Sequence, residues 1–262
     1  MQIPASIELS GIIRHYLSFD GGGAVLHRLR LFSDGNTSIV FNACSNLTLD
    51  GQLLPDSFVY GQITEYKDIE CQGQVRLFVV VFRPDGFNRL FGLPASELKD
   101  KVVSFADLFG SEGLSLQQAI IGSATLSEKI EQIEAFILRL LDRRSWSADP
   151  KIAASLQLIQ KHNGMIAIHR LANALCCHTR QLERQFNTVV GLSPKRFCNI
   201  IRVHAFLKHL QTTSHLTSKA YETGYFDQAH LIREFKQITG LTPSQYLQNT
   251  VPLAVNLLWI MT

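Results

Sequence analysis

The stretch LERQFNTVVGLSPKRF at 182–197 recurs in altered wording as LIREFKQITGLTPSQY at 231–246. An offset of 49 residues superposes Leu182 on Leu231, Arg184 on Arg233 and Phe186 on Phe235. The same offset places Gly191-Leu192-Ser193-Pro194 on Gly240-Leu241-Thr242-Pro243, and Phe197 on Tyr246. Two copies are too few for a solenoid, whose units must stack several deep to close a core. They suit one domain holding two equivalent helical subunits. Leu182 with Phe186, and Leu231 with Phe235, mark the buried face of a helix in each copy. Gly191 and Gly240 read as C-cap glycines, and Ser193-Pro194 and Thr242-Pro243 as an N-cap hydroxyl followed by an N1 proline.

Outward from the repeat, helical patterning covers 150–161, 168–175, 179–189, 194–210, 218–223, 227–238 and 243–249. Each copy then contains a helix-turn-helix. In the first, the turn is Cys176 to His178 and the second helix starts at Thr179; in the second, the turn is Gly224-Tyr225-Phe226 and the helix starts at Asp227. Such a turn presents the second helix outward, with its N-terminal half able to enter a DNA major groove. Periodicity leaves Arg180, Gln181, Glu183 and Arg184 outward in the first helix, and Gln228, Ala229, Ile232 and Arg233 outward in the second. Arg can pair bidentately with guanine and Gln with adenine, Glu can accept from cytosine, and Ala or Ile can meet a thymine methyl. For Arg184 and Arg233 the plainer alternative is an exposed salt bridge on the helix surface. Lys195, Arg196, Arg202, Lys208 and Lys236 are candidate phosphate contacts, which position a protein without specifying sequence. The helix over 194–210 separates the units and could let them enter successive major grooves on one DNA face, about 34 Å apart.

Charge agrees with this division. Residues 151–250 hold 12 Lys and Arg against 4 Asp and Glu, and the remainder 13 against 18, within a net charge of +3. A basic half on a mildly acidic partner is the footprint of a nucleic-acid-binding module, or more plainly of a solvated basic surface. With 46% hydrophobic and 18% charged residues the balance is globular.

Residues 7 to about 85 read as β. AVLHRLRLF (24–32), SIVFNAC (38–44), FVYGQITEY (58–66) and QVRLFVVVFR (74–83) are rich in β-branched and aromatic residues, and glycine-containing breakers separate them. The unalternated apolar run from Leu77 to Phe82 predicts a central strand. After the turn Pro84-Asp85-Gly86, a helix starts near Phe87; a second helical region runs from Ser115 to about Leu141, with Ser127 and Glu131 suiting a first turn. Its apolar face, Leu126, Ile130, Ile133, Ile137 and Leu140, either packs on the chain's own β layer or forms a dimer seam. The polar stretch DRRSWSADP (142–150) reads as a linker. The fold class expected is α+β: an N-terminal antiparallel β-barrel or sandwich with helices over 1–141, then an all-α domain over 151–250 of two helix-turn-helix units joined by a linker helix, then an apolar tail over 251–262.

The five cysteines lack metal-site spacing and suit free, mostly buried thiols in a reducing compartment. MQIPASIELS has no basic n-region or long apolar h-region, and PLAVNLLWIM falls short of a membrane span, so a soluble cytoplasmic protein with no membrane partner is expected.

These residues closely resemble the AraC/XylS family of bacterial transcription regulators. The resemblance is carried by Leu171-Ala172, RQLERQF (180–186), GLSPKRF (191–197), Arg202, Ala220, Gly224-Tyr225, Asp227-Gln228-Ala229-His230, REFK (233–236) and GLTPSQY (240–246). It implies double-stranded promoter DNA as target, RNA polymerase as a partner, a role in transcription regulation with activation and repression both open, and base-facing roles for Arg180, Glu183, Arg184, Gln228, Ala229, Ile232 and Arg233. Three positions depart from the family pattern: Cys176 where glycine is usual, Phe206 where a small residue is usual, and Lys219 where an apolar one is usual. The last two are expected to loosen or reposition the second unit. The N-terminal half resembles the small β-barrel sensor domain of some members, through SDG at 33–35, VYGQ at 59–62 and VVFRPDGFNRLFGLPASEL at 80–98. That second resemblance implies a small-molecule effector or homodimerisation.

Other functions compete. A metal enzyme in the barrel needs clustered His and carboxylate ligands, but the N-terminal half has only His15 and His27, with no HxH pair. A DNA-alkylation sensor needs a four-cysteine zinc cluster or a dedicated nucleophile site, which Cys44 and Cys71 do not supply. No enzyme activity, metal or cofactor is therefore expected. A regulator whose N-terminal half only dimerises or contacts RNA polymerase remains the alternative to a ligand-responsive one.

Overall fold

The absence of alternation from Leu77 to Phe82 has a direct cause: β9 (Val75–Phe82) is covered on both faces. Leu77, Val79 and Val81 enter an interior shared by two sheets, whereas Phe78, Val80 and Phe82 face a layer of helices. In this computed structural model, which describes residues 1–21, 26–44, 46–143, 148–212, 228–254 and 257–260, β9 is central in an antiparallel six-stranded sheet. Its partners are β2 (Ile13–Gly21) and β4 (Ser38–Asn42). The sheet is completed by β1 (Gln2–Pro4), β7 (Ser57–Tyr60) and β10 (Val102–Ser104), in the order β1-β2-β9-β4-β7-β10.

The second sheet contains β3 (Leu26–Leu31), β8 (Lys67–Gln72), β5 (Asn46–Leu49) and β6 (Gln52–Leu53). Together the sheets form the expected antiparallel sandwich. Outside the first sheet lie α1 (Gly86–Phe91), a 3₁₀ turn (Ala95–Leu98), α2 (Phe105–Gly122) and α3 (Leu126–Arg143). The apolar face of α3 packs on the chain's own β layer through Ile133, Phe136 and Ile137, and Phe136 meets the rings of Phe105 and Phe109 at 6.0 Å each. Its first turn is capped by Thr125 and Glu128, whose side chains each accept from the other's backbone N–H at 3.2 and 3.3 Å. Ser127 and Glu131 instead bond to each other at 3.3 Å.

The helical region comprises α4 (Pro150–Lys161), α5 (Ile168–Ala174), α6 (Thr179–Val190), α7 (Pro194–Thr212), α8 (Gln228–Thr239) and α9 (Pro243–Asn249). Asp149 caps α4 by accepting from the N–H groups of Lys151 and Ile152, with Pro150 at the start. Ser193 and Thr242 accept from Arg196 N–H and Gln245 N–H, so the two copies open their last helices alike. Leu182, Phe186, Leu231 and Phe235 are all buried in one core with Ile152, Ile200 and Tyr246. Phe206 joins them: it is fully buried and packs edge-on against Phe235 at 5.9 Å, which packs edge-on against Tyr246 at 5.8 Å. The large residue, expected to loosen or reposition the second unit, fills the space between α7 and α8. The predicted helix 218–223, the turn Gly224-Tyr225-Phe226, Asp227 and Lys219 lie outside the described residues.

Among the contacts that tie the helices to the sandwich, two lie at β12 and at the SDG segment. The chain leaving α9 forms β11 (Thr250–Ala254) and β12 (Leu257–Ile260), and β12 pairs antiparallel with β3, with Leu258 opposite Arg30. The apolar tail thus supplies two strands of the second sheet. The other connection is the SDG segment. Phe32 belongs to the core of the helical region, and Gly35, at φ 80°, lies so close to α7 that a Cβ there would come within 2.6 Å of the Phe197 ring. A side chain is excluded both by space and by the left-handed backbone. His204, on α7, donates through Nε2 to the Ser33 carbonyl at 2.8 Å and stacks on Phe32 at 5.6 Å. Burial pushes the His204 pKa down, so the ring stays neutral.

Candidate nucleic-acid interface

The first helix-turn-helix follows from local chemistry. α5 stops at Ala174, and Cys176 adopts φ 48°, the left-handed conformation that reverses the chain before α6. A residue with a Cβ pays about 1–2 kcal/mol for that conformation. The Cys176 side chain is exposed, so little burial is available to offset that cost. Cys176→Gly is therefore expected to stabilise the protein by about 1 kcal/mol, raising the thermal midpoint by about 2–4 °C. A lowered midpoint in a melting experiment would contradict the strained-turn assignment. Gly191, the C-cap of α6 at φ 84°, meets both demands of its site: the turn needs a left-handed residue, and a Cβ would come within 2.9 Å of the Ala95 carbonyl oxygen.

On α6, Leu182 and Phe186 are buried, while Arg180, Glu183 and Arg184 are exposed and Gln181 is half-buried. On α8, Leu231 and Phe235 are buried, Ala229, Arg233 and Lys236 are exposed, and Ile232 is half-buried. Gln228 is the first residue of α8, and its side chain lies outside the described residues. Lys195 is exposed at the start of α7. Among the described residues, no ion pair involves Arg180, Arg184 or Arg233, so the plainer reading of Arg184 and Arg233 as helix salt bridges finds no support.

Two expected phosphate contacts are placed differently. Arg196 is half-buried and donates through its guanidinium to the Thr64 carbonyl of the sandwich, and burial lowers its pKa. Arg202 pairs with the buried Glu234 at 3.6 Å and reaches the Gly164 carbonyl at 3.4 Å. The pair links α7 to α8, and Glu234 also lies 3.6 Å from His230. Periodicity could not separate these two arginines from exposed ones, because their partners are distant in sequence. Glu234 itself offered a signal, as an acidic residue in a strongly basic stretch and beside Phe235 on the buried side of α8.

Comparison with known proteins finds matches over both halves of the chain. Residues 171–249 match a family described as a helix-turn-helix domain, and residues 1–104 match a domain of unknown function, DUF6597. An AraC-like transcription regulator of Streptomyces antibioticus is 27% identical over 109 residues, covering 40% of this chain and 35% of that protein. An uncharacterized HTH-type transcriptional regulator of Haemophilus influenzae is 32% identical over 95 residues, covering 36% and 32%. The matches thus span about a third of the length of these relatives. Among solved structures, ToxT of Vibrio cholerae aligns with 88% of this chain and 97% of its own at 9% identity, with a TM-score of 0.48. The C-terminal domain of AraT from Geobacillus stearothermophilus aligns with 37% of this chain and 84% of its own at 26% identity, with a TM-score of 0.36. The chain is a helix-turn-helix protein with an N-terminal β-sandwich. Its helix-turn-helix domain lies over residues 171–249, and the chain is similar to an AraC-like transcription regulator.

Proposed function

We propose that the chain is a sequence-specific DNA-binding transcription regulator that reads two adjacent major grooves with α6 and α8. The observation that carries this reading is the matched pair of exposed arginines, Arg184 and Arg233, unpaired among the described residues and set 49 positions apart on equivalent helices. Arg180, Gln181, Glu183, Gln228, Ala229 and Ile232 complete the base-facing set. Lys195 and Lys236 contact phosphates, and Arg196 can join them only by leaving Thr64. Residues 1–141 form the effector-binding and dimerisation domain, 142–150 the linker, 151–250 the DNA-binding domain and 251–262 the apolar tail, whose strand β12 pairs with β3. RNA polymerase is the partner this reading implies for a regulator bound at a promoter.

Arg184→Ala is expected to weaken binding to a selected operator by about 1–3 kcal/mol and to change binding to random DNA much less. Fluorescence anisotropy on both duplexes decides the matter. Equal losses on the two would make Arg184 a phosphate contact.

Control by a ligand in the sandwich is supported by an apolar cavity lined by Leu17, Leu31, Val40, Phe58, Leu77 and Val79, with Lys67 and Lys101 also among its lining residues. His15, also in the lining, is held neutral by burial and by Arg14, which lower its pKa to about 4. The cavity is about 70 Å³, against about 300–1,000 Å³ for ordinary small-molecule sites. That size favours a second reading, in which the sandwich only dimerises or contacts RNA polymerase. A thermal-shift screen of small apolar metabolites separates them: saturable stabilisation supports ligand control, and a uniformly flat response supports the scaffold.

A further inference from the structure

Gly191 and Gly240 hold equivalent places in the repeat, at the ends of α6 and α8, and the sandwich meets both. At Gly191 a Cβ would come within 2.9 Å of the Ala95 carbonyl oxygen and 3.2 Å of the Gln62 side chain. At Gly240 a Cβ would stand 2.5 Å from the Tyr66 ring. Between these two points the Thr64 carbonyl accepts from the Arg196 guanidinium at the start of α7. The sandwich loop 61–66, between β7 and β8, thus meets the first unit, the linker helix and the second unit through every second residue.

The loop is itself held fast. The Gln62 carbonyl accepts from Asp100 N–H at 2.9 Å. The Asp100 carboxylate accepts from Thr64 N–H at 2.7 Å and from Thr64 Oγ1 at 2.8 Å. Arg30 lies 4.2 Å over the Tyr66 ring and is fixed in turn by two bonds to the Asp68 carboxylate, at 2.6 and 2.7 Å. A guanidinium stacked on a ring attracts it and restricts its orientation. Side chains already ordered within the sandwich give up little further freedom when they contact the helices.

We infer that Gln62, Thr64 and Tyr66 are positioning residues for DNA recognition, forming a clamp that sets the separation of α6 and α8. The inference rests on the reading that the two helices engage one operator together. The clamp grips the C-terminal ends of the reading helices, whereas bases are met at their N-terminal halves, so it acts without touching DNA. Its contribution is pre-organisation. A unit that can swing must be ordered when DNA binds, and that cost is subtracted from the affinity. When both helices are held in place, engagement of the first presents the second to its groove at high effective concentration.

The test compares binding of the full chain to a selected operator and to a duplex that keeps only the half under α6, by fluorescence anisotropy. The wild type is expected to bind the whole operator about 100-fold tighter than the half. Tyr66 is exposed, so Tyr66→Ala removes a surface contact and leaves the core intact. It should cut that ratio about tenfold while changing binding to the half-operator less than about twofold. Tyr66→Phe, which keeps the ring, should retain the wild-type ratio. Gln62→Ala is the second variant: neither amide atom of Gln62 is hydrogen-bonded among the described residues, so truncation removes packing against Gly191 without breaking a side-chain bond. It too should lower the ratio. A ratio unchanged in both alanine variants, or equal losses on the two duplexes, overturns the clamp and leaves the two-unit reading standing. A wild type that binds the half-operator as tightly as the whole overturns the two-unit reading and the clamp with it.

Discussion

Raising the salt concentration from about 50 to about 200 mM weakens binding to a selected operator by about three orders of magnitude. The expectation follows from charge placement. Residues 151–250 hold 12 Lys and Arg against 4 Asp and Glu. Arg180, Arg184, Lys195, Arg233 and Lys236 are exposed. If about six cations neutralise phosphates, counterion release gives a log–log slope near −5. Two of the basic residues are already committed elsewhere, Arg202 to Glu234 and Arg196 to the Thr64 carbonyl, so the slope should fall short of the full cation count. Titration by anisotropy at several salt concentrations measures it. A slope near zero would remove the phosphate-tracking interface from the account.

The second large effect concerns the junction. Phe32→Ala should destabilise the helical region by about 3–5 kcal/mol, the usual cost of truncating a buried phenylalanine. Phe32 is attached to the sandwich but fully buried in the core of the helices, against His204. Its loss therefore removes a contact that makes the two regions unfold together. Calorimetry of the wild type should show one cooperative transition, and the variant a separate, earlier transition for the helices. A variant melting within about 1 °C of the wild type would mean that the SDG loop carries no coupling energy.

The helical region was legible in the sequence because its signals are local. The Leu–Phe spacing, the glycine stops and the Ser-Pro and Thr-Pro starts each act within one turn of helix, and each reappears as a cap or a buried face. The double burial of β9 was legible for the same reason, as a run without alternation. What could not be read depends on pairs far apart in the chain. Ser33 and His204 are 171 residues apart, and nothing near either residue announces the bond. The SDG and VYGQ segments stood out as resemblances to a sensor domain, yet Gly35 docks on Phe197 and Gln62 lies beside Gly191. In physical terms they are junction segments. The tail read as apolar but without a partner, because the edge of β3 that receives it is presented only after the sandwich forms. Phe206 misled for a related reason: a large residue looks disruptive until the opposing Phe235 and Tyr246 are in view.

The central claim is that α6 and α8 read DNA as a pair. Hydroxyl-radical footprinting of the full chain on a selected operator tests it most directly. Two protected patches are expected on one face of the duplex, separated by about one helical turn of 10–10.5 base pairs. Arg184→Ala should fade one patch and Arg233→Ala the other. A single patch, or two patches on opposite faces, would contradict reading by two adjacent units.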